Sequence, residues 1–466
     1  MEKSELLLAY YGDDFTGSTD ALEFLNRAGV KTALFIEPPG PEQLSRYKDL
    51  GAIGVAGMSR SMPPAEMEEE LRPAFTALRN SGARHVHYKV CSTFDSSPVT
   101  GSIGKAIDIA AEIFSAPFIP LLVGAPVLGR YCTFGNLFAR MGIGSKGAIH
   151  RLDRHPSMSR HPVTPAGESD LRLHLARQTS KKTGLMDILQ IVLPEEEAQK
   201  ELQELIRQGK EVILFDVLYQ DQMAGIGRLL DAYASPRQPL FSVGSSGIEM
   251  ALGSFWAQKG ILNPPTNRSN PGKAEPLLVA SGSCSPVTAG QISWAVKNGF
   301  EEIALDTAAV LSRGSTTEVL KEYIQNTIKL LNEGKSVILH TNSGADTPGA
   351  GKTREVFSGN GPDEGMIREK TAQLFGTALG NIVRAVIEMV PLKRIVVAGG
   401  DTSSYAARAM GIEAVEMIAP LSPGAPLCKA FAPGSAADGI EVNFKGGQVG
   451  SENYFGMLQE GRYRQE

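Results

Sequence analysis

Two adjacent carboxylates stand between glycines in Gly12-Asp13-Asp14-Phe15-Thr16-Gly17, directly after the apolar run 6–9. Neighbouring residues in a turn point in different directions. One carboxylate can therefore hold substrate hydroxyls while the other accepts a proton. The competing role is a helix cap, which needs one acid and no flanking glycines. Near the other end of the chain, Gly399-Gly400-Asp401-Thr402-Ser403 follows the apolar run 394–398. Glycine amides and hydroxyls at a strand-to-helix turn suit phosphate. One turn fits a polyhydroxy substrate and the other a nucleotide, which together point to a kinase.

Further candidates sit at other strand ends. Arg60, in Met58-Ser59-Arg60-Ser61, suits a carboxylate through paired hydrogen bonds. Lys89, with Ser92 and Thr93, adds a cation and hydroxyls, and Gly101-Ser102-Ile103-Gly104 opens a helix whose start suits an anion. This set describes a pocket for a small hydroxylated carboxylate. In the second half Ser281-Gly282-Ser283-Cys284-Ser285 repeats the strand, glycine, hydroxyl, helix order, with Cys284 expected to be packed. Residues 340–346 end another strand. Gly424 lies in Ser422-Pro423-Gly424-Ala425-Pro426, and Gly446 and Gly447 lie in the last glycine loop. No GxxxxGK[ST] occurs, so the phosphate site is not a Walker A loop. No GxGxxG follows any of the strand-like runs read from the sequence, which weighs against the alternative of an NAD-dependent sugar-acid dehydrogenase. The other alternative is a non-catalytic sugar-acid sensor. His155 and His161, with Glu168 and Asp170, lack the spacing of a helical metal pair and read as a structured loop at the domain interface. Metal ligands stay unassigned.

These turns need a scaffold, and the hydrophobic pattern supplies an α/β one. Strand-like runs at 6–9, 31–36, 51–55, 85–90, 117–122, 188–192, 211–215 and 240–243 alternate with helical stretches such as 18–28 and 64–80. Residues 263–273 are rich in Pro, Asn and Gly and read as a linker. The rhythm then resumes with strands at 276–280, 302–304, 336–340 and 394–398. The expected fold has two domains, each a mainly parallel sheet covered by helices. Its 466 residues are too many for one ordinary core. The net charge of −5 gives no broad attraction to nucleic acid or an anionic membrane. The start does not read as a signal peptide, and no apolar run spans a bilayer. Four scattered cysteines without a CxxC pair suit a reducing cytoplasm.

The motifs together resemble the four-carbon acid sugar kinase family over nearly the whole chain. The resemblance rests on Asp13-Asp14-Phe15-Thr16-Gly17, Ser59-Arg60, Lys89 with Ser92-Thr93, Ser281 to Ser285, Gly399 to Ser403, Pro423 to Pro426 and the final glycine loop. It implies a sugar-acid-binding domain at 1–262, a linker at 263–275 and an ATP-binding domain at 276–466, with the active site in the cleft between them. It also implies phosphorylation of a terminal hydroxyl of threonate, erythronate or 3-oxo-tetronate, with ATP and Mg²⁺. Arg60, Lys89, Ser92 and Thr93 would bind the acid, and Asp13 or Asp14 would orient the reacting hydroxyl and accept its proton. Ser281, Gly282, Ser283, Gly399, Gly400, Asp401, Thr402, Gly424, Gly446 and Gly447 would hold the nucleotide. A homo-oligomer is compatible with this reading. Two departures bear on the substrate and the nucleotide loop. Phe94-Asp95-Ser96-Ser97 stands where many members carry Leu-Arg-Gly, and Lys445-Gly446-Gly447-Gln448-Val449-Gly450 where many carry Lys-Ser-Gly-Asn-Phe-Gly. The segment around His161 is similar to a branch that includes a kinase for the branched acid 3-oxo-isoapionate.

Overall fold

The structure is a computed structural model that describes residues 5–141, 147–161, 163–265, 270–314, 317–341 and 364–462. The chain divides into two compact units, Met1–Ala33 with Glu37–Thr266, and Leu34–Ile36 with Asn267–Glu466. Each is α/β with a mainly parallel sheet, as expected.

The first unit contains β1 (Leu8–Gly12), β3 (Ala52–Ala56), β4 (His85–Lys89) and β5 (Ile119–Leu122), with the short strand β2 (Thr32–Phe35) between β1 and β3 in sequence. A small antiparallel sheet follows, formed by β6 (Arg130–Thr133), β7 (Asn136–Arg140) and β8 (Ile149–Arg151). Then come β9 (Thr183–Met186), β10 (Val212–Phe215) and β11 (Leu240–Gly244). The main sheet runs β3-β1-β4-β11-β5-β10-β9, all parallel. Every residue of β1, β3 and β4 is buried, because helices cover both faces of such a sheet. This is why β1 and β3 read as runs without a charged residue, while β4 buries two histidines and Lys89. Gly12 is in register with Ala56 on one side and with Lys89 on the other, and Lys89 with Gly244. The strand order reverses direction at β1, and ligands bind at such switch points, beyond the carboxyl ends of the strands.

Two parts differ from expectation. Residues 188–191 form a short helix, Ile188–Ile191, and the strand lies just before it at β9. Asp187 caps this helix by accepting from the amides of Leu189 and Gln190, and the Gln190 side chain accepts the Asp187 amide. That reciprocal box outweighs the β-preference of the apolar residues. The β6–β8 sheet was not foreseen. Its first hairpin turns at Phe134-Gly135, both at positive φ (50° and 81°), without the Asn-Gly pair that usually marks such a turn.

The second unit contains β12 (Leu278–Ser281), β13 (Glu301–Ala304), β14 (Val337–His340), β15 (Arg394–Ala398), β16 (Ala414–Ala419), β17 (Leu427–Phe431) and β18 (Glu441–Lys445). Its order is β13-β14-β12-β15-β18-β17-β16. The first five are parallel, and β17 is antiparallel to both β18 and β16. Ser281 is in register with Ala398, and Ala398 with Lys445, so three carboxyl ends open at one level. Among the described residues no helix is long and apolar enough to cross a membrane.

Candidate active site

β1 delivers Asp13 into a buried position, 2% exposed. Its amide donates to the Lys89 carbonyl at 2.8 Å and its carbonyl accepts from the Arg60 amide at 3.0 Å. The acid is thus fixed between two strand ends. Arg60, on the 3₁₀ turn Ser59–Ser61, commits four of its five N–H groups to the acid pair. Its Nε and Nη2 reach Asp13 at 3.1 and 2.6 Å, and its Nη1 and Nη2 reach Asp14 at 2.7 and 2.8 Å. Asp14 also caps the helix Phe15–Arg27 by accepting the Gly17 amide at 2.7 Å, so capping and site chemistry share one side chain. Burial pushes the Asp13 carboxyl above its ordinary range, against the pull of Arg60. Despite burial, the two acids hold the Arg60 guanidinium well above its usual value.

The flanking glycines make this packing possible. A Cβ at Gly17 would stand 2.5 Å from Asp14 Oδ1 and 3.2 Å from Lys89 Nζ, and one at Gly12 would stand 2.0 Å from Ser18 Oγ. Lys89 is buried, donates to the Val90 carbonyl at 3.1 Å and lies 3.7 Å from Asp20 Oδ2. Asp20 in turn accepts from Ser246 Oγ. Behind Lys89 lie His87 and Glu249, both fully buried, with His87 Nε2 3.7 Å from Glu249 Oε1. Burial raises the Glu249 carboxyl to about 8 and lowers His87 to about 3, so the pair is a neutral acid beside a neutral imidazole. Thr93 is buried with its hydroxyl 2.9 Å from Cys91 Sγ, and Ser92 is half-buried beside it.

In the second unit, Ser281 ends β12 fully buried, and its hydroxyl has no hydrogen-bond partner among the described residues. The Gly282 amide donates to the Ala398 carbonyl at 3.0 Å and the Gly399 amide to the Lys445 carbonyl at 2.8 Å. Gly399 has φ 122°, open only to glycine, and a Cβ there would stand 2.7 Å from Thr402 Oγ1 and 3.3 Å from the Ser283 amide nitrogen. A Cβ at Gly282 would stand 2.3 Å from Thr402 Oγ1, and one at Gly447 2.7 Å from Ser283 Oγ. Without side chains at these three glycines, the ends of β12, β15 and β18 close into one cluster of backbone and hydroxyls. The helices Pro286–Lys297 and Gly400–Ala409 both start at it, presenting amide-rich ends that suit phosphate. Gly446 leads into the last loop, whose Gly447 carbonyl accepts from Thr288 Oγ1 at 2.8 Å. Gly424, at φ 75°, shapes a turn whose Ala425 and Pro426 carbonyls accept from Asn443. The orphaned Ser281 hydroxyl and the two helix starts fit a nucleotide phosphate.

Residues 8–252 match the family model of a sugar-binding N-terminal domain, and residues 278–455 that of a nucleotide-binding C-terminal domain. A 3-oxo-isoapionate kinase of Paraburkholderia graminis is 42% identical over 458 residues, 98% of this chain and 95% of its own length. The chain belongs to the four-carbon acid sugar kinase family. It is an ATP-dependent acid sugar kinase. A 3-oxo-tetronate kinase of Methylobacterium radiotolerans is 29% identical, covering 97% of this chain and 98% of its own. A solved structure from Salmonella typhimurium LT2 shares the fold at TM-score 0.74 and 24% identity, covering 97% of this chain and 99% of its own.

The structure brings Asp13, Asp14, Arg60 and Lys89 of this kinase together, while Arg60 faces its own aspartates instead of an open space. Ser281, Gly282, Ser283, Gly399 and Thr402 gather at the strand ends of the second unit, with Gly400 as the first residue of a helix and the exposed Asp401 next to it. The start of the helix Ile103–Ile113 is closed by protein groups. Ser102 accepts the Lys105 amide, and Gln178 accepts the Gly104 amide at 3.2 Å. His155 and His161 tie down their own loop, each Nδ1 accepting backbone amides, and Glu168 and Asp170 do likewise. No group of three or more His, Cys, Asp or Glu gathers among the described residues. Cys284 is exposed, not packed, because the turn carries it outward between two inward-facing serines. Of the segment 340–346, residues 342–346 lie outside the described residues.

Asp20, Ser246, Glu249, Arg130 and Lys445 were not singled out from the sequence. Arg130 is buried, and its Nη1 donates to the Leu128 and Arg140 carbonyls at 3.0 and 3.2 Å. Its Nε has no partner among the described residues, and it lies within electrostatic reach of Cys91, Asp95 and Asp20. An Asp six residues after a motif, or an Arg opening a hairpin, carries no local signal. Lys445 did carry one, a cation directly before two glycines at a strand end.

Proposed function

We propose that this kinase phosphorylates a terminal hydroxyl of a short branched oxo-acid of the 3-oxo-isoapionate type. What carries the substrate class is the contrast in likeness, 42% identity to the 3-oxo-isoapionate kinase against 29% or less to the 3-oxo-tetronate kinases compared. Asp95, where many members have arginine, supports a substrate different from the straight-chain acids.

In this reading residues 1–262 bind the acid, 263–275 link, and 276–466 bind the nucleotide. Arg60 acts as the clamp that holds Asp13 and Asp14 side by side through four hydrogen bonds. Lys89 and Arg130, both buried cations, read the substrate carboxylate, with Ser92 and Thr93 donating to its oxygens. Asp13 orients the reacting hydroxyl and receives its proton, and the upward push of burial makes it a better base than an ordinary carboxylate. Ser281, Gly282, Ser283, Gly399, Gly400, Thr402, Gly424, Gly446 and Gly447 hold the phosphates, and Asp401 faces the accompanying cation. Bound Mg-ATP supplies the phosphoryl group and neutralises charge during transfer.

The test is ADP release with Mg-ATP and a panel of acids, among them 3-oxo-isoapionate, 3-oxo-tetronate, threonate and erythronate. The expected result is a kcat/KM for 3-oxo-isoapionate at least tenfold above the others, a difference of about 1.4 kcal/mol. Equal or better turnover of a straight-chain acid would overturn the substrate reading.

A further inference from the structure

Lys445, the last residue of β18, is fully buried. Its Nζ makes one hydrogen bond, to Thr288 Oγ1 at 2.9 Å, and lies 5.5 Å from the centre of the Tyr454 ring. Among the described residues no carboxylate comes within ion-pairing distance of it. A buried ammonium without a counter-charge is costly. Its surroundings raise that cost, because Thr288 belongs to the first turn of the helix Pro286–Lys297, where free amides carry positive partial charge. Burial accordingly lowers Lys445 to about 7.

The groups facing Lys445 do not offset this. The helix Pro286–Lys297 contributes Thr288, and β15 contributes Ala398, its register partner. The helix Tyr454–Glu460 contributes Tyr454, whose hydroxyl donates to Asn443 at 2.9 Å. None of these is charged near neutral pH. The same row of strand ends continues through Ala398 to Ser281, with Ser283, Gly399 and Gly447 packed beside it, and their hydroxyls and amides suit an anion. Cation, helix start and orphaned serine hydroxyl share one strand level and one unmet need, a negative charge.

We propose that Lys445 binds a nucleotide phosphate and takes up a proton as the nucleotide arrives. This rests on the reading that the second unit holds the nucleotide. Before binding, burial keeps Lys445 largely neutral above neutral pH. The phosphate supplies the missing counter-charge, and the ammonium form becomes the stable one. Nothing else need be exchanged: the proton comes from solvent and lodges on Nζ.

The experiment is calorimetric titration of Mg-ADP into the full chain, in buffers of different ionisation enthalpy. It is run at about pH 6 and about pH 8.5, the second lying between the lowered and the ordinary lysine values. The wild type is expected to take up close to one proton per nucleotide at the higher pH and close to none at the lower. Affinity is expected to weaken by up to about tenfold per pH unit above neutrality. Lys445→Met should bind Mg-ADP about a hundredfold more weakly, with no proton uptake. Lys445→Arg, charged throughout, should bind without the pH dependence. Circular dichroism checks that both variants fold. Absence of uptake in the wild type, or unchanged uptake in Lys445→Met, would overturn the proposal. Failure of the wild type to bind Mg-ADP at either pH would remove the nucleotide reading beneath it.

Discussion

Arg60 illustrates how a side chain chosen for one task is held to another. With its donors on Asp13 and Asp14, Arg60→Ala removes the charge that holds the two adjacent acids and lowers the Asp13 carboxyl. The main effect expected is therefore on catalysis, beyond a rise in KM. Without the arginine, Asp13 needs a higher pH to ionise, so the acid limb of kcat/KM should move upward, with kcat down at least about a hundredfold near neutrality. A pH profile of the variant checks this, and an unmoved limb would take Asp13 out of the base role. Glu249 gives a second prediction. Its folded-state value of about 8 lies well above its ordinary one, 4.5, so the folded chain holds a proton that the unfolded chain releases between these values. This stabilising contribution is complete below the ordinary value and is lost as pH rises through about 8. Glu249→Gln keeps a neutral side chain and should remove that slope. Thermal melts of both proteins over pH 5–9 should diverge towards the alkaline end, by on the order of a few kcal/mol. Parallel curves would mean that Glu249 is already ionised when folded.

At the scale of elements, the strand ends carry the design. Gly399 and Gly400 are adjacent, but only Gly399 has the backbone conformation that excludes a side chain. Gly399→Ala should cost about 1–2 kcal/mol of strain and weaken Mg-ADP binding at least tenfold, while Gly400→Ala, at the start of a helix, should change either by little. Calorimetry on the pair decides it, and equal effects would contradict the assignment of the turn. The same contrast shows what a sequence can disclose. Buried parallel strands mostly read as apolar runs, so β1, β15 and their turns were legible, as was the Asp13-Asp14 pair. Arg60 was legible as a site residue but its partners were not, because they lie 46 and 47 positions away. Helix Ile188–Ile191 was hidden by an apolar stretch whose local hydrogen bonds override its β-preference. Phe134-Gly135 bends a hairpin with a residue that advertises no turn.

The whole molecule offers an internal comparison, because its two tryptophans fall one to each unit, Trp256 in the first and Trp294 in the second. Arg394 is fully buried at the start of β15. It bridges Glu441 through Nε at 2.8 Å and donates to the Gly272 carbonyl at 3.1 Å and to the Leu458 carbonyl. It thus ties the entry and the last helix of the second unit to its sheet. Arg394→Met leaves Glu441 only the long contact to Lys393 at 3.9 Å and takes a donor from two carbonyls, a loss of about 3–5 kcal/mol. In urea, followed with one tryptophan retained at a time, the Trp294 transition should move to lower denaturant and the Trp256 transition should stay. Equal movement of both would show that the two units unfold as one.

Cys284 lends itself to a different use. It is the exposed one of the four thiols. Burial pushes Cys91 up to about 11 and raises Cys132 well above its ordinary value, and Cys428 is shut inside the second unit. A maleimide dye at mildly alkaline pH should therefore label a single position, next to Ser283 and one residue before the cap of a helix. The native chain then carries its own attachment point for an optical reporter of nucleotide arrival. The label should go on more slowly, and fluoresce differently, when Mg-ADP is present. Mass spectrometry of the labelled peptide, with and without nucleotide, would show whether the natural sequence already serves as a sensor.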